Sequence, residues 1–297
     1  MPAPAPDWER TVHLLGDLHA GAITDVRLDA VSRDLDRLGT PALHLQVGDA
    51  TEDGTRAQDE LALGFLDRLR APWITVLGNH DVLRNRRSAA AWARAYGQES
   101  QNFSVDLDFV RVIAVGPNRT EPGKRAGHLS RATLAFLERE LEDGPEHCWI
   151  ACHWPLFRTV MGDPRLHFTS AMAAFYAKPV DDIRELLGRH RNARLWLSGH
   201  THSPLSAPGL IKRVRLGRGR TLGAINASAL VGVGKRRNPR APLCSLYLTR
   251  KRDHIEVRAR DHRAGAWRNI GGRRVVELRL GPPLRNSGRR SRRSRRA

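Results

Sequence analysis

Seven residues that could bind metal ions or transfer protons follow short apolar segments of the sequence. They are Asp17, His19, Asp49, Asn79, His153, His200 and His202. Carboxylate, amide and imidazole groups bind first-row transition metals, and two of the three also act as acids or bases in hydrolysis. Any one of these residues has an ordinary explanation, because Asp after Gly is common turn chemistry. Their recurrence at five separate places predicts a shared, metal-dependent site.

The apolar segments before these residues are predicted to be strands that alternate with helices. In an open α/β sheet, the loops at the carboxyl ends of the strands converge on one crevice. Gly16, Gly48, Gly78 and Gly199 stand at these ends, where glycine allows the chain to leave a strand sharply. The expected strands are 11–16, 42–48, 73–78, two within 101–115, 147–152 and 195–199, and the expected helices lie around 28–38, 61–69, 134–141 and 180–188.

Beyond Pro204 the apolar residues recur at every second position, as in Ile255, Val257 and Ala259. This period predicts half-buried strands with Arg on the solvent-exposed face. Strand-helix units followed by a run of strands indicate an α/β fold with two packed sheets flanked by helices. We expect one domain over residues 1–284, in which 204–284 complete the second sheet. Residues 285–297 are expected to form a disordered Arg-rich tail.

The positive charge is concentrated in the last third of the chain. The net charge of the 297 residues is +19, of which 204–284 carry +15 and 285–297 carry +7, while 1–203 carry −3. A genome that favours Arg codons would explain this, since only five of the basic residues are Lys. A cationic surface that binds nucleic acid or an anionic surface would explain it equally well.

Composition also limits the class of protein. The chain has 40% hydrophobic and 27% charged residues, which is typical of a globular domain. The sequence has no apolar run long enough to span a bilayer and no secretory signal, so a cytoplasmic location is expected. Cys148, Cys152 and Cys244 cannot all pair within one chain, which excludes a disulfide scaffold.

The candidate residues occur in five ordered blocks. The blocks are Asp17-Leu18-His19, Gly48-Asp49, Gly78-Asn79-His80-Asp81, His153, and Gly199-His200-Thr201-His202. In this order they resemble the calcineurin-like metallophosphoesterase superfamily. GDATEDG at 48–54 and the Asn-His-Asp block resemble its class III cyclic nucleotide phosphodiesterase branch most, because the Asp-Arg-Gly of protein phosphatases and the Tyr ligand of purple acid phosphatases are missing. The resemblance implies a four-layer α-β-β-α sandwich of two mixed sheets.

The resemblance also implies a dinuclear metal centre. One ion would bind Asp17, His19 and His202, the other Asn79, His153 and His200, and Asp49 would bridge both. This set contains no thiolate and suits Mn, Fe or Zn. Two such ions can share a hydroxide that attacks a phosphoryl group.

Other residues near the third block are candidates for substrate chemistry. His80, followed by Asp81, is expected to assist the leaving group as donor or charge stabiliser, with Asp49 completing the catalytic set. Arg84, Arg86 and Arg87 follow closely enough to reach a substrate phosphate, and a solvated charge run fits them equally well.

These observations leave three functions to compare. The first is hydrolysis of small phosphodiesters or phosphomonoesters, with cyclic nucleotides as the leading case. The second is a nuclease that holds DNA or RNA on the basic C-terminal third, and its affinity would fall steeply with salt. The third is a non-enzymatic interaction module on this fold, which would be expected to lack a ligand. The sequence gives no oligomeric state.

Overall fold

The computed structural model describes residues 5–23, 25–82, 87–117, 127–217, 220–232, 240 and 242–279. The expected tail over 285–297 lies outside the described residues, as do Arg84 and Arg86. In the described part of the chain, no helix is both long and apolar enough to cross a membrane.

The first sheet contains the strands that precede the first three blocks. Its strands are β1 (Thr11–Leu15), β2 (Leu43–Gln46), β3 (Trp73–Thr75), β10 (Cys244–Arg250), β11 (His254–Asp261), β12 (Ala266–Arg268) and β13 (Val276–Arg279). Their order is β12-β11-β10-β1-β2-β3, and β13 also pairs with β11. β1, β2 and β3 run parallel, so their carboxyl ends lie at one edge of the sheet.

The second sheet contains the strands that precede the last two blocks. Its strands are β4 (Phe103–Leu107), β5 (Val110–Ala114), β6 (Cys148–Ala151), β7 (Ala193–Ser198), β8 (Ile211–Arg215) and β9 (Thr221–Asn226). Their order is β4-β5-β6-β7-β9-β8, and β5, β6, β7 and β9 are parallel. The antiparallel edge strand β8 forms one end of this sheet.

Helices cover the outer face of each sheet. They are α1 (Asp25–Leu35), α2 (Arg56–Leu66), α3 (Ala89–Ala95), α4 (Arg131–Glu142) and α5 (Val180–Arg189). Leu28, Phe65 and Trp92 pack α1 to α3 onto the first sheet, whereas Leu137 and Leu187 pack α4 and α5 onto the second. This pattern places each helix on the side of its sheet that faces away from the other sheet.

The two sheets pack face to face through a third cluster of buried side chains. Leu14 and Leu246 of the first sheet belong to the same cluster as Val112, Trp149 and Leu195 of the second. Side chains in a strand alternate between its two faces, so one set fills the space between the sheets and the other contacts the helices. The predicted four-layer α-β-β-α arrangement is confirmed.

The strands after Pro204 divide between the two sheets. β8 and β9 extend the second sheet, as expected, whereas β10 pairs with β1 and carries β11, β12 and β13 into the first sheet. The expectation that all of 204–284 completes the second sheet is therefore wrong for β10 to β13. Alternation shows that a segment has one buried face, and it does not specify which sheet supplies the partner strand.

Candidate metal centre

The first group of side chains comes from the loops after β1 and β7. Asp17, His19 and His202 are buried, and their ligand atoms all lie within 4.8 Å of one another. His202 Nε2 lies 3.2 Å from His19 Nε2 and 3.2 Å from Asp17 Oδ2. The first and last blocks, 183 residues apart in sequence, therefore meet at one point.

A second group forms beside it from the loops after β3, β6 and β7. His153 Nε2 lies 3.0 Å from His200 Nδ1 and 3.2 Å from Asn79 Oδ1. His153 is fully buried and His200 is 8% exposed. Both histidines and Asp49 also satisfy the distances expected of a metal-binding group.

Asp49 lies between the two groups. Its Oδ2 atom is 3.2 Å from His153 Nε2 in the second group and 3.6 Å from His19 Nε2 in the first. Its other oxygen, Oδ1, accepts a hydrogen bond of 2.8 Å from the His80 backbone N–H. One carboxylate oxygen thus faces both histidine clusters.

The hydrogen bonds behind the rings direct lone pairs into the centre. His153 Nδ1 donates to Val47 O and His200 Nε2 donates to Ala174 O, because a carbonyl can only accept. In the neutral rings, His153 Nε2 and His200 Nδ1 are then unprotonated, although they lie 3.0 Å apart. Glu52 Oε2 lies 2.8 Å from His19 Nδ1 and favours the proton there, which leaves His19 Nε2 facing His202. With both rings neutral, these acceptors converge on one point with no proton between them, so a cation fits there in place of the second proton of His153.

The donor set fits a transition metal. The groups contain imidazole nitrogen and carboxylate or amide oxygen, which bind Mn, Fe and Zn. The three cysteines are buried elsewhere, and burial raises the pKa of each thiol to about 12. Thiolates therefore do not contribute to this site.

Burial and mutual charge perturb the ionisation of the centre in opposite directions. Burial raises the pKa of Asp17 to about 7. Burial alone would also raise the pKa of Asp49, but the charges of His153 and His80 hold it well below its usual range. Burial would lower the pKa of His153, and Asp49 overcomes this and raises it to about 9. Burial lowers the pKa of His200 to about 3, which keeps that ring neutral.

The backbone of the site is strained. His19, Asp49, His200 and His202 have φ angles of 49°, 54°, 72° and 49°. This left-handed region costs residues other than Gly roughly 1–3 kcal/mol each, and such residues cluster at functional sites. The turns place these four side chains at the strand ends in spite of that cost.

The strand-end glycines are needed mainly for space. A Cβ at Gly199 would lie 2.4 Å from Asp17 Oδ1, and one at Gly78 would lie 2.1 Å from the Asp49 backbone N. Of the four expected glycines, only Gly48 has a positive φ, of 91°. Close approach of neighbouring loops, rather than sharp turning, therefore explains most of the pattern.

Comparison with known proteins identifies the family. The model of the calcineurin-like phosphoesterases matches residues 10–204, which contain all five blocks. The chain belongs to the calcineurin-like phosphoesterase family. It is an enzyme of the metal-dependent phosphoester hydrolase class.

Individual relatives agree with the branch resemblance and with the fold. The calcineurin-like phosphoesterase is 29% identical over 194 residues to a probable cyclic nucleotide phosphodiesterase of Synechococcus, covering 64% of this chain and 70% of the relative. It is 27% identical over 107 residues to a probable glycerophosphodiester phosphodiesterase of Arcobacter nitrofigilis, covering 36% and 38%. A dimetal phosphatase structure from Danio rerio has a similar fold, with a TM-score of 0.59, 13% identity and coverage of 93% and 100%.

Two residues of this phosphoesterase make contacts that differ from those expected from the sequence. Asp81 is buried, and its carboxylate accepts hydrogen bonds from Asp49 N, Gly78 N, Thr51 N and Thr51 Oγ1 at 2.9–3.1 Å. It positions the loops after β2 and β3 and does not face the metal-binding groups. Arg87 forms an ion pair of 2.8 Å with Asp59 and donates to Ala91 O, so its guanidinium joins α2 to α3 instead of reaching for substrate.

Other residues around the centre were not expected from the sequence. Glu52 approaches His19 through its carboxylate and accepts from His80 Nδ1 through its backbone oxygen at 2.8 Å. Phe175 stacks on His200 with ring centroids 4.7 Å apart, and Phe168 stacks on Phe175 at 4.3 Å. A carboxylate three residues after Asp49 was the available signal for Glu52, but the aromatic pair lies in an irregular segment with no periodic pattern.

Proposed function

We propose that this phosphoesterase binds two metal ions and hydrolyses small phosphodiesters, with cyclic nucleotides as the leading substrates. The observation that carries the proposal is the position of Asp49 Oδ2, which faces the His19 group and the His153 group at once. A carboxylate in that position is suited to bridge two cations. Its pKa is held low, so the bridging charge is available at neutral pH.

Each ion would have its own protein ligands besides the shared Asp49. One would bind Asp17, His19 and His202, and the other Asn79, His153 and His200. Mn, Fe and Zn suit these ligands. When bound, such a pair supplies Lewis-acid stabilisation of phosphoryl oxygens and activation of water.

His80 is suited to assist the leaving group. Its Nδ1 must carry a proton, because it lies 2.8 Å from the carbonyl oxygen of Glu52, which can only accept a hydrogen bond. Nε2 is then the atom that can exchange a proton with substrate. The ring is held edge-on to His19, with centroids 4.5 Å apart, and its side chain is 19% exposed. It therefore borders the metal-binding residues while remaining accessible.

The substrate class rests on the relatives and on the aromatic side chains. Both named relatives are described as probable phosphodiesterases, one for cyclic nucleotides and one for glycerophosphodiesters. Phe168 and Phe175 are partly exposed and lie beside His200, where they could pack against a flat apolar group. A nucleobase offers such a group, whereas a glycerol moiety does not.

A substrate panel on metal-reconstituted protein tests this proposal. The panel contains an aryl phosphodiester, the matching monoester, cyclic AMP, a glycerophosphodiester and single-stranded DNA, each at low and high salt. Asp49→Asn serves as the blank, and elemental analysis reports the metal content of both proteins. We expect turnover of the diesters, cyclic AMP included, that varies little with salt, and loss of one or both metals from the variant.

Two results would contradict the proposal. Retention of two tightly bound metals by Asp49→Asn would remove the bridging assignment. Activity confined to DNA, with a steep loss at high salt, would instead favour a nuclease, because phosphate contacts release counterions.

A further inference from the structure

A cavity of about 380 Å³ lies between the beginning of α5 and the edge strand β8. Its third wall is the segment 156–159, which follows the His153 block. None of the metal-binding residues lines it. The volume falls within the range of small-molecule sites, roughly 300–1,000 Å³.

The inner surface of this cavity is apolar. Leu156 and Ile183 are almost completely buried and line it, together with the half-buried Val180 and Val214. Removing apolar surface of this kind from water stabilises a bound ligand by about 25 cal/mol per Å² buried. The cavity can therefore accept a hydrocarbon or aryl group.

Its rim is cationic. Five basic residues line the cavity, and no acidic residue does: Arg158, Arg184, Lys212, Arg213 and Arg215. In the described part of the chain, none of the five lies within ion-pair distance of a carboxylate. Asp181 and Asp182 lie on the same helix but do not line the cavity. The rim thus carries positive charge that no carboxylate of the described residues neutralises.

Hydrogen bonds to the backbone hold several of these side chains at the rim. Lys212 Nζ donates to Arg158 O at 3.1 Å, and Arg184 Nη2 donates to Arg215 O at 3.2 Å. Arg213 Nη2 donates to Thr221 Oγ1 at 2.8 Å. Fixing these long side chains before a ligand arrives reduces the entropy that binding would cost.

A second explanation for the charges is protection of the open sheet edge. Lys and Arg on an edge strand discourage pairing with another chain. That explanation accounts for β8, but it accounts neither for Arg158 and Arg184, which lie on other elements, nor for an apolar cavity behind the charges.

We propose that this cavity binds a soluble anion that carries an apolar group, such as an alkyl or aryl phosphate, phosphonate or carboxylate. The hydrocarbon part would contact Leu156, Ile183 and Val214, and the anionic head would pair with the guanidinium groups at the rim. Arg is suited to this because its planar donors match phosphate and carboxylate oxygens.

Calorimetric titration of the metal-loaded protein with octylphosphonate tests the proposal. The carbon–phosphorus bond of this probe is not a phosphoester, so the enzyme's hydrolytic activity does not consume it. The test variants are Arg184→Ala/Arg215→Ala, which removes charge, and Val214→Trp, which fills the cavity. The matched control is Arg191→Ala/Arg252→Ala, which removes two exposed arginines outside the lining set. Asp49→Asn controls for binding at the metal centre.

We expect one saturable site in the wild type, in the exposed-arginine control and in Asp49→Asn. Arg184→Ala/Arg215→Ala should bind about tenfold more weakly or worse, since each lost charge-assisted hydrogen bond weakens affinity by about that factor. Val214→Trp should also bind more weakly, because the indole occupies the space that the apolar group of the probe needs. Inorganic phosphate lacks the alkyl chain of the probe and octanol lacks its anionic head, so each should bind more weakly than the probe.

Several outcomes would overturn the proposal independently of the metal-dependent function. They are the absence of saturable binding, unchanged affinity in both cavity variants, and loss of binding in Asp49→Asn alone, which would place the probe at the metal centre. Binding to phosphatidylglycerol vesicles without binding of the monomeric probe would assign the cationic rim to a membrane surface and would also overturn it.

Discussion

Glu52 connects two histidines that the proposed reaction uses differently. Its carboxylate lies 2.8 Å from His19 Nδ1, and its backbone oxygen accepts a 2.8 Å hydrogen bond from His80 Nδ1. A carboxylate behind a metal-binding histidine fixes the ring and makes the opposite nitrogen a better ligand. One residue therefore orients both a proposed ligand and the proposed proton donor.

Replacing this carboxylate should weaken metal binding. In Glu52→Gln the charge behind His19 is lost, and we expect metal affinity to fall by about 10- to 100-fold. Metal titration followed by activity measures this. Glu60→Gln is the control, because the Glu60 side chain is 64% exposed and pairs with Arg56 one turn away on α2. Equal metal affinity in Glu52→Gln and the wild type would show that Glu52 does not support His19.

Removing His80 should impair turnover while the metals remain. General acid catalysis contributes about 10²- to 10⁴-fold, and we expect kcat of His80→Ala on a poor leaving group to fall by that order. Elemental analysis checks that metal content is retained, and the exposed His128→Ala is the control. An aryl ester with a good leaving group should be affected less. Undiminished kcat on both substrates would contradict the assignment.

The loops after the strands pack so closely that a single methyl group should disturb the site. Gly199 follows β7, and a Cβ there would lie 2.4 Å from Asp17 Oδ1. Asp17 cannot move away easily, because both of its oxygens accept a 3.0 Å hydrogen bond from His200 N. The loop after β7 thus fixes the position of the carboxylate after β1.

A pair of glycine substitutions tests this packing. Gly199→Ala should destabilise the protein by about 1–3 kcal/mol and reduce its metal content, since overpacking costs about that much. Gly188→Ala lies in α5, where a Cβ would meet no atom within 4 Å, and should stabilise the helix by about 0.5–1 kcal/mol. Denaturant unfolding and elemental analysis distinguish the two. Normal metal content in Gly199→Ala would contradict the expectation.

Local sequence patterns predicted the central strands well because these strands are buried on both faces. The expected strand at 11–16 is Thr11–Leu15, and the expected helix at 180–188 is Val180–Arg189. Helix α3 was not expected, because Ala89–Ala95 spans only seven residues, although Ala89, Trp92 and Ala93 are spaced as one buried helical face. The place of Glu52 three residues after Asp49 marks it as a candidate, but its contact with His19 could not be predicted, because that contact depends on how the turn after β2 folds back.

The first sheet contains a buried polar network at a distance from the metal-binding residues. His262 Nδ1 donates to Asp34, and Ser245 Oγ lies 2.7 Å from His262 Nε2 and 2.7 Å from His13 Nε2. His13 Nδ1 in turn lies 2.7 Å from His44 Nδ1. Although Ser245, His262 and Asp34 have the order of a hydrolase triad, each is at most 3% exposed, so no substrate reaches them.

One proton per contact satisfies this network when all three histidines are neutral. His44 donates to His13, His13 to Ser245, Ser245 to His262, and His262 to Asp34, which Arg260 also binds through two donors at 2.7 and 2.9 Å. A further proton on His13 would place two N–H groups against each other. Burial, followed by the charges of neighbouring histidines, accordingly lowers the pKa of His13 well below its usual value and that of His44 to about 4.

The stability of the protein should therefore decrease in mild acid. Below about pH 6.5 the histidines of the unfolded chain bind protons, whereas His44 in the folded chain does not do so until about pH 4. Each such histidine lowers the free energy of unfolding by up to about 1.4 kcal/mol per pH unit in this window. Asp34, whose pKa is lowered to about 2, adds a loss of stability only at still lower pH.

His44→Asn should flatten the slope of the free energy of unfolding against pH between pH 4.5 and 6.5, measured by denaturant unfolding with metal in excess. His128→Asn, which removes an exposed imidazole, should leave it unchanged, and an equal slope in the His44 variant would exclude His44 as a source of acid sensitivity.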